Sequence, residues 1–482
     1  MSSPPNQLFI DGHWVGPAER EVLEVIDPAT EQLVDRVPVA TDADIDAALA
    51  ASAAAFAEWR HADAWTRSQL LRKVSAVLRE WVEPMAATLT EEQGKPLREA
   101  RGELAATADQ FDWYADEARR IYGRVIDGHA RDNRLLVLRQ PVGPVAAFSP
   151  WNFPALLPAR KIAAAVAAGC SIIIKPAEEA PRTCLWLARA CAEAGAPRGL
   201  INVVTGHPEH ISTRLIRADV IRKVSLTGSV PVGKKLLKLC AELVKPASME
   251  LGGHAPVLVF ADADVERAAE TAARAKFRNS GQVCIAASRF FVHAAIAEAF
   301  TRRFVEVTRA LRLGDGRDPD TDIGPLASSR RRDAAEALVA DAVARGARVR
   351  WGGERPAAFP RGFYFFPTVL TGVTDEMRVM NEEPFCPIAP ITTFATFDEA
   401  VARANRSDYG LAAYVFSRDT KTTFLAAEAL EAGMVGVNNM VIATAEAPFG
   451  GVKMSGCGRE GGSEGIEAYT HTKYVNIGLW DQ

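Results

Sequence analysis

The chain has 482 residues, 48% of them hydrophobic and 24% charged, a length that suits roughly two or three packed units rather than one core and a composition typical of a soluble globular protein. A net charge of −4 supplies no basic field for nucleic acid, and no apolar run approaches the ~20 residues that span a bilayer. The start, MSSPPNQLFIDGHW, lacks the basic and apolar regions of a secretory leader, and the seven cysteines show no CxxC pair and no histidine at metal-ligand spacing. A cytoplasmic protein with reduced thiols, no disulfide framework and no metal is therefore expected.

Residues 43 to 121 are alanine-rich and helical in pattern, and RLLVLRQP (134 to 141) is strand-like. From about 140 to 258 apolar runs alternate with helical patterns. GPVAAFSP, SIIIKP, LINVVTG and KVSLTG read as strands, with helices over 155 to 168, 182 to 194, 208 to 216 and 229 to 242. That alternation predicts a parallel sheet flanked by helices. After MELGGHAPVLVF a second α/β series follows, with helices near 264 to 277 and 295 to 311 and strands at RFFVHA, PIAPITTF, AAYVFS and MVGVNN. The terminal KYVNIGLW (473 to 480) is a further strand outside both series.

Several stretches carry chemistry. KVSLTGSVPVG sets a strand, a glycine turn and a helix start in succession, so that Gly228 and Gly233 admit either a phosphate at the helix N-terminus or close helix packing. Lys175 and Glu178 follow SIIIK, where a parallel strand would open on a ligand crevice, although both also suit a solvated loop. In NSGQVCIAASR, Cys284 sits among small residues that leave room for a substrate, and Glu250 in MELGG offers a carboxylate base. Alone, such a cysteine is more often an inert small hydrophobe than a nucleophile.

The motifs FSPWNFP (148 to 154), KPAEEAP, LTGSVPVG, MELGG, GQVC, NEEPF and PFGGVKMSG occur in that order, and the chain thereby resembles the NAD(P)-dependent aldehyde dehydrogenase superfamily over nearly its whole length. The resemblance implies an aldehyde dehydrogenase fold with two Rossmann-like open parallel-sheet domains and a small β oligomerisation extension. Residues 1–121 and 142–251 would bind the dinucleotide, 252–441 would be catalytic, and 122–141 with 466–482 would form the oligomerisation strands of a homodimer or homotetramer. It further implies that Cys284 attacks an aldehyde to give a thiohemiacetal and then a thioester, that Asn152 stabilises the oxyanion, and that Glu250 activates the hydrolytic water. Ser149, Pro150, Trp151, Thr227, Gly228, Ser229, Gly233 and Leu251 would contact the cofactor. Lys175 and Glu178 would hold the adenine ribose, and Glu383 with Phe385 the nicotinamide ribose. A carboxylate at Glu178, reinforced by Glu179, repels a 2′-phosphate, which favours NAD over NADP.

Phe153, Leu156, Leu157 and Phe449 are expected to line an apolar substrate channel. Arg160, roughly two helical turns beyond Asn152, and Arg278, shortly before the nucleophile, match the arginine pair of the succinate-semialdehyde and 2-oxoglutarate-semialdehyde dehydrogenase branch. An aldehyde bearing a carboxylate (succinate, glutarate or 2-oxoglutarate semialdehyde) is the expected substrate, with neutral aromatic or aliphatic aldehydes as the alternative if the arginines pair with protein carboxylates. The pattern departs from that branch in Ala443, where a serine is usual, in Ala286, where a second cysteine often sits, and in Cys386, where the family usually has glycine. The retained Asn152, Glu250 and Cys284 argue against a silent structural relative. Glu250 argues against an acyl transfer to coenzyme A, and the ribose motifs against a plain thioester hydrolase.

Overall fold

Five strands, Val145–Phe148, Ile172–Lys175, Ile201–Val203, Lys223–Thr227 and Ala247–Glu250, form the parallel centre of an eight-stranded sheet in a computed structural model that describes residues 5–479. Residues 1–4 of the expected first unit and 480–482 of the expected terminal strand lie outside the described residues. Val145–Phe148 lies between Ile172–Lys175 and Lys223–Thr227, so the chain winds to one side of it and then returns to wind to the other. Such a switch in strand order opens a crevice at the carboxyl ends of the two diverging strands. Val145–Phe148, Ile172–Lys175 and Lys223–Thr227 are buried at every position, as a sheet covered on both faces requires.

The edges of this sheet are antiparallel. A hairpin of Leu8–Ile10 and His13–Val15 closes one side, and Gly456–Cys457 pairs with Met249 and Glu250 on the other. Strands of two or three residues are too short to show alternation, which is why sequence periodicity missed them.

The helical stretch near 43 to 121 forms Asp42–Trp59, Ala64–Glu80, Val82–Gln93 and Leu97–Glu117. Thr41 and Asp44 close a capping box on the first, and Asp63 accepts the N–H groups of Trp65 and Thr66 on the second. Leu156–Ala168 is buried at all but its first residue, and its alanines let it lie between the sheet and Leu97–Glu117. Adding side-chain volume to so close a packing would cost about 1–3 kcal/mol.

A second sheet has seven strands in the order Arg348–Trp351, Thr368–Thr371, Ile388–Phe394, Ala287–His293, Ala255–Val259, Ala412–Phe416 and Met434–Val437, parallel except for its first pair. Arg124–Ile126, Asn133–Pro141 and Thr470–Gly478 form a separate antiparallel sheet that leaves Val125, Leu138, Tyr474 and Ile477 exposed.

Candidate active site

The turn that follows Val145–Phe148 carries Ser149, Pro150, Trp151 and Asn152, and the turn after Lys223–Thr227 carries Gly228 and Ser229, where helix Val230–Glu242 begins. From the second sheet's side comes a short turn, Arg278–Gly281, in which Asn279 and Ser280 adopt left-handed backbone angles (φ 48° and 55°) before the chain reaches Cys284. Non-glycine residues held there cost of order 1–3 kcal/mol each, so the surrounding contacts must impose this path.

Between these loops lies a cavity of about 380 Å³ that Asn152, Glu250 and Cys284 line together. Pro150, Trp151, Thr227, Gly228, Ser229 and Leu251 line the part contributed by the first sheet. Glu383 and Phe385 line the opposite part, where Phe385 meets Trp151 edge-on at 5.5 Å. Glu383 accepts the Gly253 N–H at 2.8 Å, and a side chain at Gly252 would collide with its carboxylate. The cleft at the switch point, the opening turn of a helix and two facing aromatic rings fit a dinucleotide.

Other residues singled out in the sequence stand apart from this cavity wall. Ser149 is buried, and Lys175 pairs with Glu178 at 3.0 Å at the end of strand Ile172–Lys175. Gly233 packs within its helix against Leu251, whose Cδ2 a Cβ there would meet at 2.6 Å, so its smallness serves packing. Conversely, Arg330 and Arg331 line the cavity without having been anticipated. Arg330 reaches Glu179 at 3.5 Å, and Arg331 donates to the backbone oxygens of Pro384 (2.7 Å) and Phe385 (3.2 Å). A basic run at a helix start reads as ordinary surface, so no sequence signal marked them.

The chemistry-bearing groups are strongly desolvated. Burial, followed by the nearby Glu383 and Glu250 carboxylates, pushes the Cys284 thiol up to about 12, against which Arg160 acts in the opposite sense. Burial and then the Glu460 carboxylate raise Glu250 well above the usual carboxylate range, and neither Glu250 oxygen has a hydrogen-bond partner among the described residues. Glu460 itself pairs with the buried Lys161, whose ammonium also donates to Thr227 (2.8 Å) and Ser225 (3.2 Å). Burial raises Glu383 to about 7. The Asn152 amide donates through Nδ2 to the Gln282 carbonyl at 3.0 Å, which leaves the second amide proton available.

The four expected substrate residues form two stacked pairs. The Arg160 guanidinium lies 4.2 Å from the Phe449 ring centroid and is buried, whereas Arg278 is exposed, 5.4 Å from the Phe153 ring. Neither arginine forms an ion pair within 4.0 Å among the described residues, although the Arg278 charge acts on the Glu99 carboxyl and the Arg160 charge on Glu250. His254 donates or accepts at Ser288 Oγ (2.9 Å), and burial holds it well below the usual histidine range, a packing role. Cys386 is buried behind the nucleophile loop. Among the described residues no group of acidic, histidine or cysteine side chains is arranged to hold a metal ion, and no helix is long and apolar enough to cross a membrane.

Comparison with known proteins places this arrangement. Residues 14–475 match the aldehyde dehydrogenase family. A 3-sulfolactaldehyde dehydrogenase of Pseudomonas putida is 44% identical over 476 residues, covering 99% of this chain and 98% of its own. A succinate-semialdehyde dehydrogenase [NADP(+)] of Escherichia coli K12 is 42% identical over 474 residues, 98% of each chain. The crystal structure of an E. coli NADP-dependent enzyme superposes with a TM-score of 0.97 at 41% identity, again over 98% of each chain. The chain belongs to the aldehyde dehydrogenase family and is an NAD(P)-dependent aldehyde dehydrogenase.

Proposed function

We propose that this enzyme oxidises an aldehyde whose far end carries an anion, foremost the carboxylate of succinate, glutarate or 2-oxoglutarate semialdehyde. The observation that carries this reading is Arg160, a buried guanidinium that among the described residues forms no ion pair within 4.0 Å and whose Nε makes no hydrogen bond. Burying a charge is costly unless something pairs with it, and a substrate carboxylate or sulfonate would do so. The relatives named for succinate semialdehyde and 3-sulfolactaldehyde also act on aldehydes with an anionic end. Arg278, exposed above Phe153, would meet the same anion at the mouth.

In this reading the Cys284 thiol loses its proton to water as Sγ adds to the carbonyl carbon, and the oxyanion is held by the free amide proton of Asn152 and the backbone N–H of Cys284. The nicotinamide, when bound, supplies the hydride acceptor. Pro150, Trp151, Thr227, Ser229 and Phe385 would hold it against Cys284, with Glu383 at its ribose. What remains on Cys284 is a thioester. Glu250 takes a proton from the water that attacks this thioester, which releases the acid and restores the thiol. Glu250 must be ionised for that step, so its raised pKa makes hydrolysis gain rate as pH rises through it.

NAD is favoured over NADP, because Glu178 and Glu179 at the end of strand Ile172–Lys175 set carboxylates where a 2′-phosphate would lie. We extend the reading to the architecture: 1–121 with 142–251 as the dinucleotide-binding part, 252–441 as the catalytic part, and 122–141 with 466–482 as strands that join subunits into a homodimer or homotetramer in the cytoplasm.

The test is NADH formation with succinate, glutarate and 2-oxoglutarate semialdehydes and 3-sulfolactaldehyde against pentanal and benzaldehyde, repeated with NADP for the best substrate. A kcat/KM preference of about 10-fold or more for an anionic aldehyde is expected from one charged hydrogen bond. Equal or better use of the neutral aldehydes would overturn the anion reading, and a preference for NADP would overturn the cofactor assignment.

A further inference from the structure

We propose that Lys95, together with Glu99 and Glu103, is a positioning clamp that holds the Asn152 turn and the nucleophile loop in one geometry without touching substrate. The inference rests on the reading of Asn152 as the oxyanion donor.

Lys95 follows Gly94, whose left-handed backbone (φ 86°) ends helix Val82–Gln93 and turns the next side chain inward. Its side chain is buried, and its ammonium donates to Glu103 Oε2 at 2.5 Å and to the Asn152 carbonyl at 2.9 Å. The same ammonium stands 3.8 Å from the centroid of the Phe153 ring. The other Glu103 oxygen accepts the N–H groups of Ala155 (2.9 Å) and Leu156 (3.1 Å), where helix Leu156–Ala168 begins. One buried ion pair thus grips the Asn152 turn at its carbonyl, at its aromatic ring and at the helix start.

Glu99 lies one turn earlier on Leu97–Glu117 and accepts the Asn279 N–H at 2.8 Å. Asn279 in turn donates through Nδ2 to the Asn152 carbonyl (3.0 Å) and the Gln282 carbonyl (3.3 Å). The beginning of a single helix therefore ties a turn of the first sheet to the strained loop that presents Cys284. These two loops come from separate sheets, so the distance between the Asn152 amide and the sulfur is set by contacts between the loops, of which the bond from Asn152 Nδ2 to the Gln282 carbonyl is one and the clamp supplies the others. An oxyanion donor acts only within about 2.7–3.1 Å of the developing charge, and a misplacement of ~1 Å can cost on the order of 10²-fold in rate. A buried Lys–Glu pair is a poor way to gain stability, since apolar residues of similar volume often do as well. Its value here is directional: the ammonium's three donors match a carboxylate, a carbonyl and a ring face.

The test compares Lys95→Met/Glu103→Gln, which removes the clamp without leaving a buried unpaired carboxylate, with Lys95→Gln, which keeps a donor, and with Asn152→Ala as the reference. Four quantities are read: the rate of the NADH burst with the best aldehyde, the rate of Cys284 alkylation by iodoacetamide, the Kd for NAD, and the melting temperature. Alkylation needs no oxyanion donor, so it separates geometry at Asn152 from general damage. The double variant should slow the burst about 10- to 100-fold while alkylation and NAD affinity change by less than about twofold, and Lys95→Gln should recover part of the loss. A wild-type burst in a folded double variant, while Asn152→Ala is slowed, would overturn the clamp. Parallel loss of burst, alkylation and NAD binding would reduce Lys95 to a structural role and overturn it equally. An unimpaired burst in Asn152→Ala would instead remove the oxyanion reading on which the clamp stands.

Discussion

The buried and the exposed charges around the site use the same residue types under different physics. Arg160, Lys161, Glu250 and Glu460 are each at most 3% exposed, and burial followed by the Glu460 charge raises Glu250. Arg278, by contrast, is exposed, and Arg330, 77% exposed, meets Glu179 at 3.5 Å. A charge–charge contact in water at such distances is worth about 1 kcal/mol or less, and salt screens it. The same contact without water is several times stronger, and an unmatched charge there is a liability unless a substrate matches it. On the function proposed above, chemistry and recognition would fall to the buried groups and steering to the exposed ones.

The contrast can be broken most severely at Glu250. Glu250→Gln should leave the NADH burst nearly intact and reduce steady-state turnover by about 10²- to 10⁴-fold, the usual range for a lost general base. The wild-type hydrolytic rate should fall as pH falls through an inflection well above the ordinary carboxylate range, and that inflection should vanish in the variant. Loss of the burst itself in stopped-flow traces would move Glu250 into the first half-reaction.

Arg160→Ala comes next. Losing a charge-assisted hydrogen bond in a dry site costs roughly 1.5–3 kcal/mol, or about 10- to 150-fold in kcat/KM, for the anionic aldehyde, with pentanal much less affected. Equal losses on both substrates would show that Arg160 serves only to pack against Phe449. The smallest effect belongs to Arg278→Ala, for which an exposed contact predicts no more than about fivefold, shrinking toward nothing as ionic strength is raised. A salt-independent loss as large as that of Arg160→Ala would show that Arg278 acts like the buried arginine and erase the comparison.

Much of the site was legible because its chemistry is local. The motifs around Asn152, Glu250 and Cys284 each lie within a few positions, so the resemblance they carry picked out three residues that do meet in one cavity. The alternation between 140 and 258 was equally readable, since periodicity reports which residues are buried. Arg331, Glu460 and Lys95 were not legible for the opposite reason. Lys161 and Glu460 are 299 residues apart, and Lys95 lies 57 residues before the carbonyl that it holds. Sequence patterning shows that such a charge exists, not which buried group will face it.

By itself, then, the sequence determined the α/β class, which follows from periodicity, and the family, which follows from the order of its motifs. Tertiary structure alone decided that Gly233 packs on Leu251, that Arg160 lies deep while Arg278 stands at the rim, and that one helix start grips loops from two sheets. The reason is that strand order and the switch between Val145–Phe148 and Lys223–Thr227 bring distant segments together, and whether a charge is worth tenths or several kilocalories depends on the water that this meeting excludes.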